Sequence, residues 1–498
     1  RSAAATLPDR DEALAERTLR RAATEVGHTE AADTLLGALA VTRSGLAPVD
    51  LAAISGIEPL KLARALRLLG AQVSVRDVSG RLAIDHETVR RAAVAGFVVD
   101  APTIHAQVAE HLESVTRSVE TLIFDEAALY DLTWHSLLGV RPDLLASAVT
   151  RLGVLPAIER EGLARLMASA IMATRTSGQQ ALHCLDGLPA QLGPNSVGIL
   201  EDLAALARLS SAAGLYMPEC LRICNTLLSS LASVANTAPD AISAATQADS
   251  LLACAEVFLD CVGGEDTAIQ LLQQAQAHGR QVPCWQEEPQ ALLRLVRSNV
   301  LLARVGATRA RAADSQALVK EVLLEEIAGT AVDYVGSPNV TYLSEAMHWC
   351  RGIMRRDPGN VQATVWLCEC LLTYSEVSFR GREESSAEAL RLTEQLLVRE
   401  PNNPEWIALR IRAQRAFLSA RIDGEGLFGN KSMLKEARQR MRSAKDAAER
   451  LAIQNPDRTD YASLLAQSLK DIAELEREVS SWTESTAWSD PSGFPSVR

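Results

Sequence analysis

From residue 100 onward, almost every segment of this chain repeats its apolar residues at three- and four-residue intervals. A chain striped in this way must stack helices against one another. Leu144, Leu145, Ala148 and Leu152 form one stripe, and Leu200, Leu203, Leu206 and Leu209 form another, each with the period of an amphipathic helix. Breaks at Pro156, Gly187-Leu188-Pro189, Gly193-Pro194, Gly263-Gly264 and Pro283 leave only short loops, as antiparallel neighbours require. One helix pair cannot bury its own stripe, but a stack of pairs makes a continuous core and leaves a concave face. Composition points the same way. Aromatics are 4% of the 498 residues while Ala and Leu are abundant, a mixture that favours helix over strand.

The clearest cadence is C-terminal. A helix carrying Ala346, Cys350 and Ile353 ends at Asp357-Pro358-Gly359-Asn360. A second, Ala387 to Val398, ends at Glu400-Pro401-Asn402-Asn403-Pro404. A third, Lys435 to Ile453, ends at Gln454-Asn455-Pro456-Asp457. Fresh helices are expected after each turn, over 361–377, 405–421 and 459–479. Helix, proline turn, helix at this cadence resembles tetratricopeptide repeats. Pro358, Pro401 and Pro456 stand 43 and 55 residues apart, longer than the standard of about 34, so extended repeats with an insertion near Asp423–Ser432 are expected. Trp349, Trp366, Tyr374 and Trp406 are candidate partner-binding residues, because large aromatics anchor interfaces. Packing between paired helices is the competing role, and it carries more weight for aromatics at helical spacing. Residues 482–498, rich in Ser, Thr and Pro, read as a flexible tail.

Residues 33–97 follow another pattern. Asp33 is placed to cap a helix with Leu35, Leu36, Leu39 and Ala40 on one face, which Gly45 stops. Pro48 opens a short helix with Leu51 and Ile54 that ends at Gly56. Glu58-Pro59 starts a third, with Leu62, Leu66 and Leu69, closed by Gly70. The period then changes to two. Val73 and Val75, a Ser79-Gly80 turn, and Leu82 and Ile84 read as a β-hairpin. A fourth helix runs from Asp85 or His86 to Phe97. Three helices, a hairpin and a closing helix make the winged-helix order. Its third helix carries Lys61, Arg64 and Arg67, either a DNA-facing surface or a solvated face. The net charge of −12 argues against nucleic acid as the main partner.

Leu35-Leu36-Gly37-Ala38-Leu39-Ala40, Leu51-Ala52-Ala53-Ile54 and Asp85-His86-Glu87-Thr88-Val89-Arg90-Arg91-Ala92 together resemble the winged-helix domain of STAND ATPases. These are signalling NTPases with NACHT or NB-ARC cores, including NOD-like receptors and bacterial antiviral relatives. Residues 128–139, Ala128-Leu129-Tyr130-Asp131-Leu132-Thr133-Trp134-His135-Ser136-Leu137-Leu138-Gly139, are similar to the Tyr…His-Leu helix that opens the helical array in such proteins, with Ser136 where that helix has Leu. The resemblance covers residues 33–140. It implies that His86 stands where a histidine of a Met-His-Asp-like motif touches the β-phosphate of bound ADP and holds the closed state. Here Asp85 replaces the Met and Glu87 the Asp. A histidine at a helix start can complement phosphate. It can equally serve as a cap residue that never meets nucleotide.

No phosphate-binding G-x-x-x-x-G-K-[ST] loop occurs; the nearest fragment, Gly429-Asn430-Lys431-Ser432, has the wrong spacing. The eight histidines are scattered, with His105 and His111 on different helix faces. Cys220 and Cys224 share a face without a second ligand pair at zinc spacing, so the nine cysteines read as buried thiols of a reducing compartment. No run of 18 apolar residues suggests a membrane span. The opening Arg1-Ser2-Ala3 reads as a truncated or processed start. The expectation is therefore a mainly α chain with no catalytic site, metal or cofactor of its own, in the cytoplasm. It comprises a helical linker (1–32), a winged-helix domain (33–98), a helical repeat array (99–330), an α-solenoid of TPR-like hairpins (331–481) and a tail. The resemblance implies the sensing region of a NACHT-type ATPase. Such a region would bind a protein trigger, by analogy a phage protein, and control nucleotide-dependent self-oligomerisation. ATP or ADP with Mg would bind an upstream NTPase core linked to an effector domain. The alternatives are a winged-helix transcription regulator and a plain TPR scaffold.

Overall fold

The computed structural model describes residues 10–27, 29–75, 80–84, 86–98, 100–118, 126–152, 157–176, 179–193, 196–210, 213–321, 338–378, 381–425, 431–456 and 458–487. These residues are overwhelmingly helical, and their one sheet is a two-stranded hairpin. The chain divides into two compact units, Arg1–Ile242 and Ser243–Arg498. No single helix among the described residues is long and apolar enough to cross a membrane.

The first unit opens with α1 (Arg10–Val26), α2 (Thr29–Val41), α3 (Pro48–Ser55) and α4 (Pro59–Leu69). The hairpin of β1 (Ser74–Val75) and β2 (Leu82–Ala83) follows, then α5 (Glu87–Phe97). Pro48 and Pro59 sit in the first turns of α3 and α4, and Gly56 closes α3 with a φ of 67°, the left-handed conformation that glycine adopts without strain. Two details differ from the sequence reading. Helix α2 begins at Thr29, so Asp33 lies inside it and does not cap it; the Ala31-Ala32 step lets the helix start earlier. In the hairpin, Ser74 pairs with Ala83 and Val75 with Leu82, leaving Val75 exposed and burying Ala83 and Ile84. The two-residue ladder is completed by Leu46, which exchanges both backbone hydrogen bonds with Leu82 at 3.0 and 2.8 Å. Helix α1, placed by the sequence in a linker, buries Ala15, Leu19, Ala22 and Val26 and packs on α2, α4 and α5.

The same unit continues through α6 (Ala101–Ser118), α7 (Glu126–Leu138), α8 (Pro142–Leu152), α9 (Ala157–Ala173), α10 (Gln180–Gly187), α11 (Val197–Leu209) and α12 (Met217–Thr237). Helix α6 packs on α2 and α3 as well as α7. Gly139 permits the close approach of α7 to α6, since a Cβ there would stand 2.6 Å from the Ala106 nitrogen. Beside it lies a buried polar pair, with His105 Nδ1 2.8 Å from His135 Nδ1. His111, six positions along from His105, faces the other way and meets Asp50 of α3 at 2.9 Å.

The second unit is a solenoid-like stack: α13 (Ala244–Leu259), α14 (Glu265–Gly279), α15 (Pro289–Glu321), α16 (Pro338–Arg356), α17 (Val361–Val377), α18 (Arg382–Arg399), α19 (Pro404–Glu425), α20 (Lys431–Gln454) and α21 (Thr459–Ala487). The odd-numbered helices pack side by side in chain order, and each even-numbered helix packs on the two odd ones flanking it. The proline turns work through their asparagines. Asn360 accepts a hydrogen bond from the Ala363 amide at 2.9 Å, and Asn403 from the Glu405 amide at 3.1 Å. These two turns therefore each stop one helix and cap the next, while in the third Asn455 donates back to the Leu451 carbonyl of α20. Helix α15, assigned by the sequence to the 99–330 array, shares one core with the helices after it. Val296, Val300 and Ala303 pack with Leu343, Cys350, Leu367 and Leu371. The 330/331 boundary, the turn residue Ser79, Asp85, Pro156, Pro194 and the Gly429-Asn430 fragment lie outside the described residues. So does 488–498 of the expected tail, whereas 482–487 belong to α21.

Candidate functional site

The α-helical period that buries one face of each odd-numbered helix of the second unit turns its neighbouring face toward a common groove. That groove is a cavity of about 610 Å³ lined from α13, α15, α17, α19 and α21. Trp366 enters it from α17, Trp406 from α19 and Tyr461 from α21. Among its charged residues, four arginines (Arg294, Arg297, Arg412 and Arg458) face four carboxylates (Asp249, Glu369, Glu405 and Asp460).

These charges are matched inside the protein. Arg294 Nε donates to Asp249 at 3.0 Å. Arg297 makes a fork on Glu256 and lies 5.8 Å from the centre of the Trp366 ring, within cation–π range. Arg458 donates twice to Asp460, at 2.9 and 2.8 Å, and reaches Glu405 at 3.4 Å. Its guanidinium lies 4.5 Å from the Tyr461 ring centre. The densest point is Glu369, which accepts from Arg412 at 2.6 and 2.9 Å and from Arg304 of α15. Burial alone would raise the Glu369 pKa, but the charges of Arg412 and Arg304 outweigh it and hold the carboxyl at about 2. The same pair raises the pKa of Arg412, and the hydrogen bonds from Arg458 hold Asp460 below the usual carboxylate range.

Two donors in the lining are left over. The hydroxyl of Tyr461, a residue only 2% exposed, and Nη1 of Arg294 are buried without a hydrogen-bond partner. A buried donor with no acceptor is destabilising by about 1–3 kcal/mol.

The structure separates the four aromatic candidates. Trp366 and Trp406 line the groove, although Trp406 is largely buried. Trp349 and Tyr374 pack against the core between paired helices, and Trp349 meets Trp285 edge-on at 6.1 Å. His86 belongs to the first unit, where it is exposed at the N-cap position of α5 and its side chain does not cap the helix. Lys61, Arg64 and Arg67 are exposed on α4, with Arg64 3.6 Å from Glu25 of α1. The thiols depart from the sequence reading at two positions. Seven cysteines are buried, but Cys261 is half-buried and Cys284 is exposed in a turn where its φ is 55°. A helical apolar pattern does not reach into that turn. No group of three potential metal ligands occurs among the described residues.

The sequence reading missed Arg294, Arg412, Arg458 and Tyr461. A usable signal existed, since Arg412 follows Trp406 and Tyr461 follows Pro456 on the helix after each proline turn. No protein-family model matches the chain, and no curated protein sequence matches it.

Proposed function

We propose that this chain is a regulatory and ligand-sensing region of a STAND-type signalling ATPase. Its second unit would receive a protein trigger in the groove between α13 and α21. The observation that carries the sensing role is that groove, lined from five alternate helices, with arginines from α15 and α19, Trp366 from α17 and Trp406 from α19. A surface of this kind is built for binding, and TPR-like hairpins are one way to build it.

The switching role rests on the first unit. We read the three helices, hairpin and closing helix over 29–97 as a winged helix, and the resemblance gives His86 the task of touching an ADP phosphate. Two features favour that contact. His86 stands exposed at the start of an eleven-residue helix, and the carboxylate of adjoining Glu87 is engaged by Arg90 at 2.6 Å, which reduces repulsion of an anion. Bound ADP would supply the charge that holds the closed state, and a trigger favouring the open state would release it. A nearly complete switch needs a preference of about 5 kcal/mol.

The test uses the whole signalling protein with its NTPase core. Trp366→Ser should abolish ligand-triggered oligomerisation while ADP stays bound, and His86→Ala should loosen ADP. Triggering that survives Trp366→Ser would reject the reading. The transcription-regulator alternative requires α4 to meet duplex DNA through Lys61, Arg64 and Arg67. Salt-dependent duplex binding that is lost in Lys61→Glu would favour it.

A further inference from the structure

In the second unit each arginine of the groove meets a carboxylate, but on the first unit four exposed cations stand together without one. They are Arg17 and Arg21 of α1 and Lys61 and Arg67 of α4. Of the cations described on these two helices, only Arg20 and Arg64 are paired, with Glu16 and Glu25. Helix α1 packs on α4, and the Glu25–Arg64 contact at 3.6 Å joins a row of each helix on one side of the pair. Helical spacing carries the α1 row back from Glu25 through Arg21 and Arg17 to Leu14. It carries the α4 row from Leu60 through Arg64 to Arg67 and Leu68. Leu14, Leu60 and Leu68 are 58%, 59% and 37% exposed. A single exposed leucine is ordinary, whereas three leucines among four unpaired cations have the make-up of an interface, apolar anchors with a charged surround.

Charge requires an acidic partner, since four like charges repel one another until carboxylates or phosphates are brought to them. Shape decides between those two. Helices packed side by side span about 18–22 Å, too wide to enter a major groove about 12 Å across, and leucines gain nothing from phosphate. Leu60 and Leu68 stand two turns apart, about 12 Å. A helix laid along α4 repeats its own apolar residues at that spacing, with carboxylates three or four residues from each.

We infer that the α1–α4 face is a docking surface for an acidic amphipathic helix of a partner protein. The apolar row of that helix rests on Leu14, Leu60 and Leu68, and its carboxylates pair with Arg17, Arg21, Lys61 and Arg67. Neither the groove of the second unit nor His86 takes part.

The full chain is panned against displayed helical peptides of about 18 residues, long enough to hold a helix in water, with their surface positions randomised. The enriched peptides should be acidic and should carry apolar residues at helical spacing. Their affinity should fall at least about 10-fold between about 50 and about 300 mM salt, as exposed charge pairs are screened. Arg21→Glu/Arg67→Glu should weaken binding at least about 20-fold, and a peptide with its glutamates changed to lysine should bind this variant better than it binds the parent. A misfolded first unit would not show that reversal. Leu60→Ser should weaken binding about 10-fold and leave the salt dependence unchanged. An empty selection, enriched peptides without acidic residues, or affinity indifferent to both variants would overturn the inference. So would duplex DNA that binds more tightly than the best peptide and loses that binding in Arg21→Glu/Arg67→Glu, because the face would then serve phosphate.

Discussion

Replacing Glu369 by Gln keeps the shape of the side chain and removes its charge, so it isolates what one carboxylate does between two arginines. A carboxyl held at about 2 instead of its ordinary 4.5 is favoured in its charged form by about 3 kcal/mol. Glu369 is 17% exposed at its side chain, while Arg304 and Arg412 are 38% and 34% exposed. Water therefore screens the arginines more than the carboxylate, and the expected loss for Glu369→Gln is about 2–3 kcal/mol, less than for a fully buried pair. The sign with pH follows from the lowered pKa. The stability from this group is fully present above pH 4.5 and is lost as pH falls toward 2. Urea unfolding followed by tryptophan emission reads the second unit well, because Trp285, Trp349, Trp366 and Trp406 all pack within it. The gap between parent and variant should be constant from neutral pH down to pH 4.5 and should close below it. A gap under about 0.5 kcal/mol at neutral pH, the scale of an ordinary surface pair, would refute the reasoning. So would a gap that persists unchanged in acid.

Three further outcomes are expected. Burial pushes His105 down to about 4 and holds His135 well below its ordinary value, so the fold keeps both rings neutral. The stability that depends on this is complete above pH 6.5 and is lost as pH falls toward 4, by about 3 kcal/mol for His105 alone; denaturation of His105→Leu/His135→Leu should lose most of that acid dependence. Gly139→Ala would drive a methyl group to within 2.6 Å of the Ala106 nitrogen and 2.9 Å of the His135 carbonyl oxygen; backbone on both sides cannot yield cheaply, and thermal melting should show a loss of about 2–3 kcal/mol. Under native conditions iodoacetamide should modify Cys284 first and Cys261 more slowly, while Cys184 and Cys368 stay unmodified because they are buried and burial raises their thiol pKa; peptide mass mapping reads this directly.

The helices were legible in the sequence because each carries its own stripe and its own stop. The expected 361–377 helix is α17 residue for residue, and the helices expected over 405–421 and 459–479 lie within α19 and α21. Boundaries slipped where the signal was a single polar residue, as at Asp33, or where alternation had only two residues to act on, as at Val75. Unit boundaries were less legible for a different reason. A break in the helical pattern marks the end of an element, whereas a compact unit is defined by which stripes face each other. Val296 on α15 shows the difference, since its partners Leu343 and Leu367 lie beyond the expected 330/331 boundary.

The groove was hidden for a related reason, but its register was in the sequence all along. Proline turns recur at intervals of 43 and 55 residues, the chain lengths from α17 to α19 and from α19 to α21. Several ion pairs across inner helices carry intervals close to these, while Arg304 and Glu369 are 65 apart across the longer step from α15 to α17. Arg297 pairs with Glu256 over 41 residues, Arg412 with Glu369 over 43 and Arg294 with Asp249 over 45. After the longer second interval, Arg458 pairs with Glu405 over 53 and Arg415 with Asp471 over 56. Each charge looks solitary on its own helix, where the nearest same-face positions are three and four residues away. Set against the hairpin repeat, it has a partner one interval along. A stack of helical pairs fixes each interval by the chain length of the pair it spans, so the cadence of prolines and the ladder of arginines and carboxylates lengthen together.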